Sequence, residues 1–204
     1  MRRYIVRHRG SFLLITAFLA VAALSAIVAR EIEGNPAGNH NRISASPVEV
    51  HFSPGGKCTE AIVEEINGAK ATIHLQAYSF TSAPIAKALV DAHKRGVKIT
   101  ALLDRSNRTQ KYSSADFLAH AGIETYIDSK HAIAHNKIII VDGVSVITGS
   151  FNFTKAAEER NAENVVIIRD SKIGATYEQN WRTHFEHSEA YASDSARSAG
   201  SLDE

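Results

Sequence analysis

The stretch His135–Asn152 reads HNKIIIVDGVSVITGSFN. Lys137–Val141 (KIIIV) and Val144–Thr148 (VSVIT) are short, apolar, β-branched runs, and Asp142-Gly143 joins them. Asp-Gly between two such runs is a strong hairpin signal, because both residues accept the left-handed backbone that a tight β-turn needs. Residues two apart on a strand share one face. His135 and Lys137 therefore point the same way, as do Ser150 and Asn152 once the chain has returned. An imidazole, an ammonium, a hydroxyl and a carboxamide converge at one end of this hairpin.

Working outward, Val48–Phe52 alternates and predicts a strand, and Ser53-Pro-Gly-Gly56 a turn. Cys58, Ala61, Ile62 and Ile66 fall at helical spacing up to Gly68, which predicts a buried, unpaired thiol. Ala71–Ala77 is a strand. Ser82 opens a helix with a stripe of Ile85, Ala88, Leu89 and Ala92, Gly96 closes it, and Val97–Leu103 is the next strand. Such a β-α-β unit implies parallel strands. A short helix over Ser113–Ala121, strands at Glu124–Ile127 and Asn164–Ile168, and a last helix follow. In that helix Ile173, Tyr177, Trp181 and Phe185 form one stripe, read as core packing. Residues 48–187 thus predict one α/β sandwich, a mixed β-sheet flanked by helices on both faces. No internal repeat is present, so any site occurs once per chain.

Of the 204 residues, 44% are hydrophobic and 22% charged, which excludes a wholly disordered or collagen-like chain. A single cysteine, Cys58, excludes an internal disulfide and a Cys-rich zinc site. The net charge of +1 hides a split. Residues 1–30 hold five arginines and no acid, and the rest carries 18 basic against 22 acidic residues, a remainder of −4. Nucleic-acid binding must then rest on local clusters. Arg105, Arg108 and Lys111 follow the strand ending at Leu103, and ligands of parallel sheets gather beyond strand C-termini. They are either backbone-tracking cations flanking the site or stray charges on a solvated loop. Tyr78, Ser79 and Phe80 end the preceding strand and are expected to line the same cleft.

Ser11–Ala29 is an apolar run behind an arginine cluster. It reads as an export signal or, being long enough to span a bilayer, as a signal anchor. Either places the remainder outside a bacterial cytoplasm: periplasmic or secreted if cleaved, held at the inner membrane if kept. Residues 31–47 read as a linker, and residues 188–204 as a flexible tail.

The converging side chains suit phosphate chemistry. Lys137 and Asn152 are donors to phosphate oxygens. His135 can act as nucleophile or general acid. Glu163 can orient the imidazole by accepting its other N–H. Ser150 is either a strand-end hydroxyl or a phosphate neighbour. Asp142 is explained by turn chemistry and is read as structural support. His131, four before His135, invites comparison with a metal pair, but on an extended chain i and i+4 lie ~13 Å apart. No metal is expected there.

His135-x-Lys137-x4-Asp142-x6-Gly149-Ser150-x-Asn152 resembles the HKD signature of the phospholipase D superfamily, and Glu163 sits where that family places its carboxylate. The resemblance covers about residues 48–187, and with a single motif the chain looks most like the short exported bacterial endonucleases of that superfamily. It implies a two-step phosphodiester exchange with neither metal nor other cofactor. One histidine attacks phosphorus to form a phosphohistidine, and a second protonates the leaving oxygen. One motif per chain then implies a two-fold homodimer with a shared site. The expected function is an exported, metal-independent phosphodiesterase, foremost a non-specific endonuclease on DNA, with RNA as a second candidate. A phospholipid or cardiolipin phosphodiesterase, held at a membrane through residues 11–29, would use the same chemistry; no long apolar insertion is present to receive acyl chains. A non-catalytic nucleic-acid-binding module fits less well, because the catalytic set is intact.

Overall fold

A computed structural model describes residues 47–192. The expected signal or anchor and nearly all of the linker lie outside the described residues. Eight strands form one sheet: β1 (Val48–Ser53), β2 (Thr72–Ala77), β3 (Lys98–Asp104), β4 (Glu124–Asp128), β5 (Lys137–Val141), β6 (Ser145–Gly149), β7 (Glu163–Arg169) and β8 (Glu189–Ala190). Their order is β1-β7-β6-β5-β2-β3-β4-β8. β2, β3 and β4 are mutually parallel, as the β-α-β pattern predicts, and every other pairing is antiparallel. Among the described residues no helix is long and apolar enough to cross a membrane.

Five α-helices are described: α1 (Cys58–Gly68), α2 (Ala83–Lys94), α3 (Ala115–His120), α4 (Lys155–Glu159) and α5 (Ser171–Phe185). A 3-10 turn, Arg105–Arg108, follows β3. The larger core gathers α1, α2 and α3 with Ile73, Leu75, Ile139, Ile147 and Ile167 of the sheet. The opposite face packs Leu102, Ile138, Ile140 and Val146 under Trp181 of α5. The alternation of KIIIV thus feeds both cores, so helices cover both faces as predicted. Asp170 caps α5 by accepting the N–H groups of Lys172 and Ile173. Gly174 lets α5 lie against the hairpin turn, since a Cβ there would sit 2.1 Å from the Gly143 carbonyl oxygen.

Four expectations are corrected. The β6 ladder starts one residue later than expected, although the Val144 N–H closes the Asp142-Gly143 turn on the Val141 carbonyl at 3.0 Å. Val141 pairs with Ser145, leaving Asp142, Gly143 and Val144 in the loop. The Val144 carbonyl accepts the Asp170 N–H at 3.1 Å, on the side of β7. The tail does not begin at Ser188: β8 pairs with β4, and the Tyr191 N–H bonds to the Thr125 carbonyl at 2.8 Å. Ile173 is 37% exposed and only Trp181 of the expected stripe is buried, with Tyr177 and Phe185 half-buried beside it. Phe80 is fully buried rather than lining a cleft; its ring meets Phe153 edge-on at 5.9 Å.

Cys58 opens α1 with no exposed surface and no disulfide partner. Burial pushes its thiol pKa up, further from the reactive thiolate. The native protein should therefore resist a thiol reagent until unfolded; rapid labelling under native conditions, read by mass spectrometry, would contradict this packing.

Candidate active site

Lys137 is the first residue of β5, opposite Ala77 of β2. Two residues earlier, His135 stands exposed in the segment between β4 and β5. Asn136 between them is held from both sides. Its carbonyl accepts the Tyr78 N–H at 3.0 Å, and its carboxamide donates to Gln76 Oε1 at 2.9 Å. The Tyr78 ring packs beside the His135 ring, centroids 4.8 Å apart, and the Lys137 ammonium lies 5.3 Å from the Tyr78 ring centre. The same ammonium donates to the His135 carbonyl at 2.6 Å. Imidazole, ammonium and phenol ring thus form one packed group.

Ser150 and Asn152 arrive from β6. Gly149 has φ 143°, and a Cβ on it would sit 2.2 Å from the Asn164 carbonyl oxygen. Only glycine lets the chain leave β6 so close to β7. Beyond it, the Phe153 carbonyl accepts the N–H groups of Thr81 and Ser82, both at 2.9 Å. The segments after β2 and after β6 are thereby tied together. Asn152 Oδ1 is buried without a hydrogen-bond partner.

Glu163 begins β7. One carboxylate oxygen accepts the Ser150 hydroxyl at 2.6 Å and the other the Asn161 carboxamide at 3.0 Å. The expected bond to His135 is therefore not made within one chain. The carboxylate still acts on the site. Burial pulls the Lys137 pKa below the usual lysine value, and the negative charge of Glu163 opposes that fall. Ser150 also accepts the Asn164 N–H at 3.1 Å, so its hydroxyl bridges the two ends of the β6–β7 turn-back.

Asp142 stands beyond the opposite end of β5 from Lys137, away from the imidazole and the ammonium. Its carboxylate accepts three consecutive backbone N–H groups: Lys70 at 2.9 Å, Ala71 at 2.7 Å and Thr72 at 2.9 Å. These bonds outweigh desolvation and hold its pKa below the usual carboxylate value. Turn chemistry predicted the place of Asp142, φ 52°, but not this clamp.

The three cations make different contacts. Arg108 is paired with Glu189 at 2.7 Å, Lys111 lies over the Tyr112 ring at 4.9 Å, and Arg105 is exposed. Arg108 is thus paired with β8, which carries no periodicity for a sequence reading to find. Tyr78 lines the site as expected, whereas Ser79 turns to Gln110. Tyr78 as the immediate neighbour of His135 was visible only as a strand-end residue.

One mixed α/β sheet thus carries an imidazole and an ammonium side by side at the β2/β5 end. The family model for the cardiolipin synthase, PLD-like domain matches residues 62–187, and the chain belongs to that family, the phospholipase D superfamily of phosphodiesterases. It is 49% identical over 143 residues to a phospholipase D of Rickettsia conorii, covering 70% of this chain and 72% of that one. A mitochondrial cardiolipin hydrolase of Xenopus laevis is 30% identical over 125 residues, 61% of this chain and 60% of that one. Among solved structures, the phospholipase D family member Nuc from Salmonella typhimurium matches with TM-score 0.69 and 41% identity, over 72% of this chain and 98% of Nuc.

Two substitutions separate the roles. Lys137→Ala should lower kcat by about 10²–10³, the loss typical of a charge-stabilising donor. Asp142→Asn keeps a residue that tolerates left-handed backbone but replaces one acceptor oxygen with an NH2 group facing N–H donors. It should cost about 1–2 kcal/mol of stability with turnover per folded molecule retained. Thermal melts and steady-state kinetics on both variants check the pair; the reverse pattern would exchange the assignments.

Proposed function

We propose that the protein is an exported, metal-independent endonuclease that cleaves DNA, and RNA as a second substrate, through a phosphohistidine on His135. The observation that carries this reading is the openness of the site. His135 is exposed, its ring meets the Tyr78 ring, and the Lys137 ammonium donates to its carbonyl. A long polyanion cut internally needs such an open approach. The 41% identical Nuc fold supports the same choice. Export through Ser11–Ala29, to the periplasm or beyond or with retention at the inner membrane, belongs to this proposal.

The scheme needs two imidazoles at one phosphorus. Among the described residues the remaining histidines are placed elsewhere: His51 on Glu49, His74 on Glu178, His120 on the Asp116 carbonyl, and His131, His184 and His187 on Asp128, with His93 packed near Gly122. In this reading the second imidazole comes from a second copy across a two-fold axis. Glu163, unbonded to its own His135, is then available to orient the partner's ring. Lys137 and Asn152 neutralise the equatorial oxygens as phosphorus becomes pentacoordinate.

One observation favours a lipid phosphodiester instead. Ile133, two residues before His135, is 57% exposed, and relatives carry the names phospholipase D and mitochondrial cardiolipin hydrolase. Plasmid DNA, RNA and a phosphatidyl substrate, each assayed in excess EDTA, decide between them. We expect nucleic-acid cleavage to persist in the chelator. Activity restored by magnesium, or confined to the lipid, would overturn the reading. For the shared site, wild type mixed with His135→Ala should lose activity as the square of the wild-type fraction after subunit exchange. A linear fall would assign a complete site to each chain.

A further inference from the structure

We propose that Asp128, His131, His184 and His187 bind one divalent transition cation of the zinc type, at a site separate from the phosphodiester centre. One ligand atom from each lies within 4.8 Å of all the others. Asp128 ends β4, and its side chain is only 1% exposed. One carboxylate oxygen is 2.9 Å from His131 Nδ1 and 2.9 Å from His184 Nδ1, and the other is 3.3 Å from His187 Nε2. Ligands around tetrahedral zinc, bound at about 2.0–2.2 Å, stand about 3.3 Å apart along each edge. The two nitrogen separations from one carboxylate oxygen, 2.9 Å each, are close to that spacing.

A hydrogen-bonded cage explains part of the cluster. Asp128 accepts the backbone N–H groups of Lys130 and His131, and the imidazoles of His131 and His184 point at its second oxygen. It holds His187 least firmly. The Nε2 atom of His187 is buried and makes no hydrogen bond, although it lies 3.3 Å from the carboxylate. A buried imidazole nitrogen in ion-pair range of a carboxylate, but outside hydrogen-bond geometry, fits a ligand that shares a cation with that carboxylate.

The donor set names the class of ion. Three imidazoles and one carboxylate suit zinc and its neighbours, whereas magnesium and calcium take oxygen ligands. Four protein ligands fill a tetrahedron and leave no open position, the pattern of a structural site. His184 lies in the last turn of α5 and His187 just beyond it. A helix C-terminus also favours positive charge. The ion would join the end of α5 to the end of β4 and to the segment carrying His131, four residues before His135. Comparing His131 with His135 alone conceals the site, because two ligands lie more than fifty residues further on.

The test uses the full chain, stripped by a chelator and dialysed. Co(II) should bind at one equivalent per chain with the intense visible bands of tetrahedral cobalt, and Zn(II) should displace it. Zn(II) at a hundredfold excess over its Kd should raise Tm by about 5–10 °C, and Mg(II) should not. His184→Gln with His187→Gln should abolish both effects. His131→Gln, on the exposed segment, should weaken Co(II) binding at least tenfold and serves if the helix-end variants misfold. Absence of the bands in wild type, a Tm rise with Mg(II), or bands that survive in the variants would each overturn the site. None of these readouts involves turnover, so the outcome is independent of the nuclease reading.

Discussion

The Asp142 carboxylate is the constraint on which the site depends. By accepting the N–H groups of Lys70, Ala71 and Thr72 it fastens the hairpin loop to the start of β2. Its own N–H closes the same junction by donating to the Thr72 carbonyl at 2.9 Å. The antiparallel register of β2 and β5 follows from that anchor, running from Ile73 opposite Val141 to Ala77 opposite Lys137. A slip of one residue would turn Lys137 to the other face of the sheet. The Tyr78–Asn136 bond then secures the far end and sets the His135 ring beside the Tyr78 ring. A structural carboxylate at one end of a five-residue strand thereby positions the reactive groups at the other.

Those groups are arranged unevenly. Lys137 is buried, feels the negative charge of Glu163 and donates to the His135 carbonyl. His135 itself is exposed and meets only the Tyr78 ring and its own segment. A rigid cation beside an open imidazole suits a centre completed from outside the chain. The carboxylate of Glu163, engaged by Ser150 and Asn161 at the rim, has the same outward aspect.

The histidine cluster occupies another part of the sheet. β4 carries Asp128 at its end, and the segment leaving it passes through His131 before reaching His135. α5 brings His184 to the same carboxylate while Trp181 anchors the helix by donating to the Leu75 carbonyl at 3.1 Å. The helix that covers the second face of the sheet therefore also holds the segment leading into the active site.

Local order was legible in the sequence. The hairpin, the parallel β-α-β unit, the burial of Cys58 and the motif from His135 to Asn152 all rest on alternation, helical spacing or short fixed intervals. Such patterns express backbone geometry over a few residues, and a sequence displays that directly. The tertiary structure decided the rest. It put Arg108 against Glu189, Glu163 against Ser150 rather than His135, and Phe80 in the core against Phe153. It also gathered His184 and His187 around Asp128, and added β8, whose two residues show no period. Each of these contacts joins side chains from different elements, and their meeting depends on sheet register and on how a helix packs. No spacing along the chain encodes that distance; it exists only once the sheet is formed and its faces are covered.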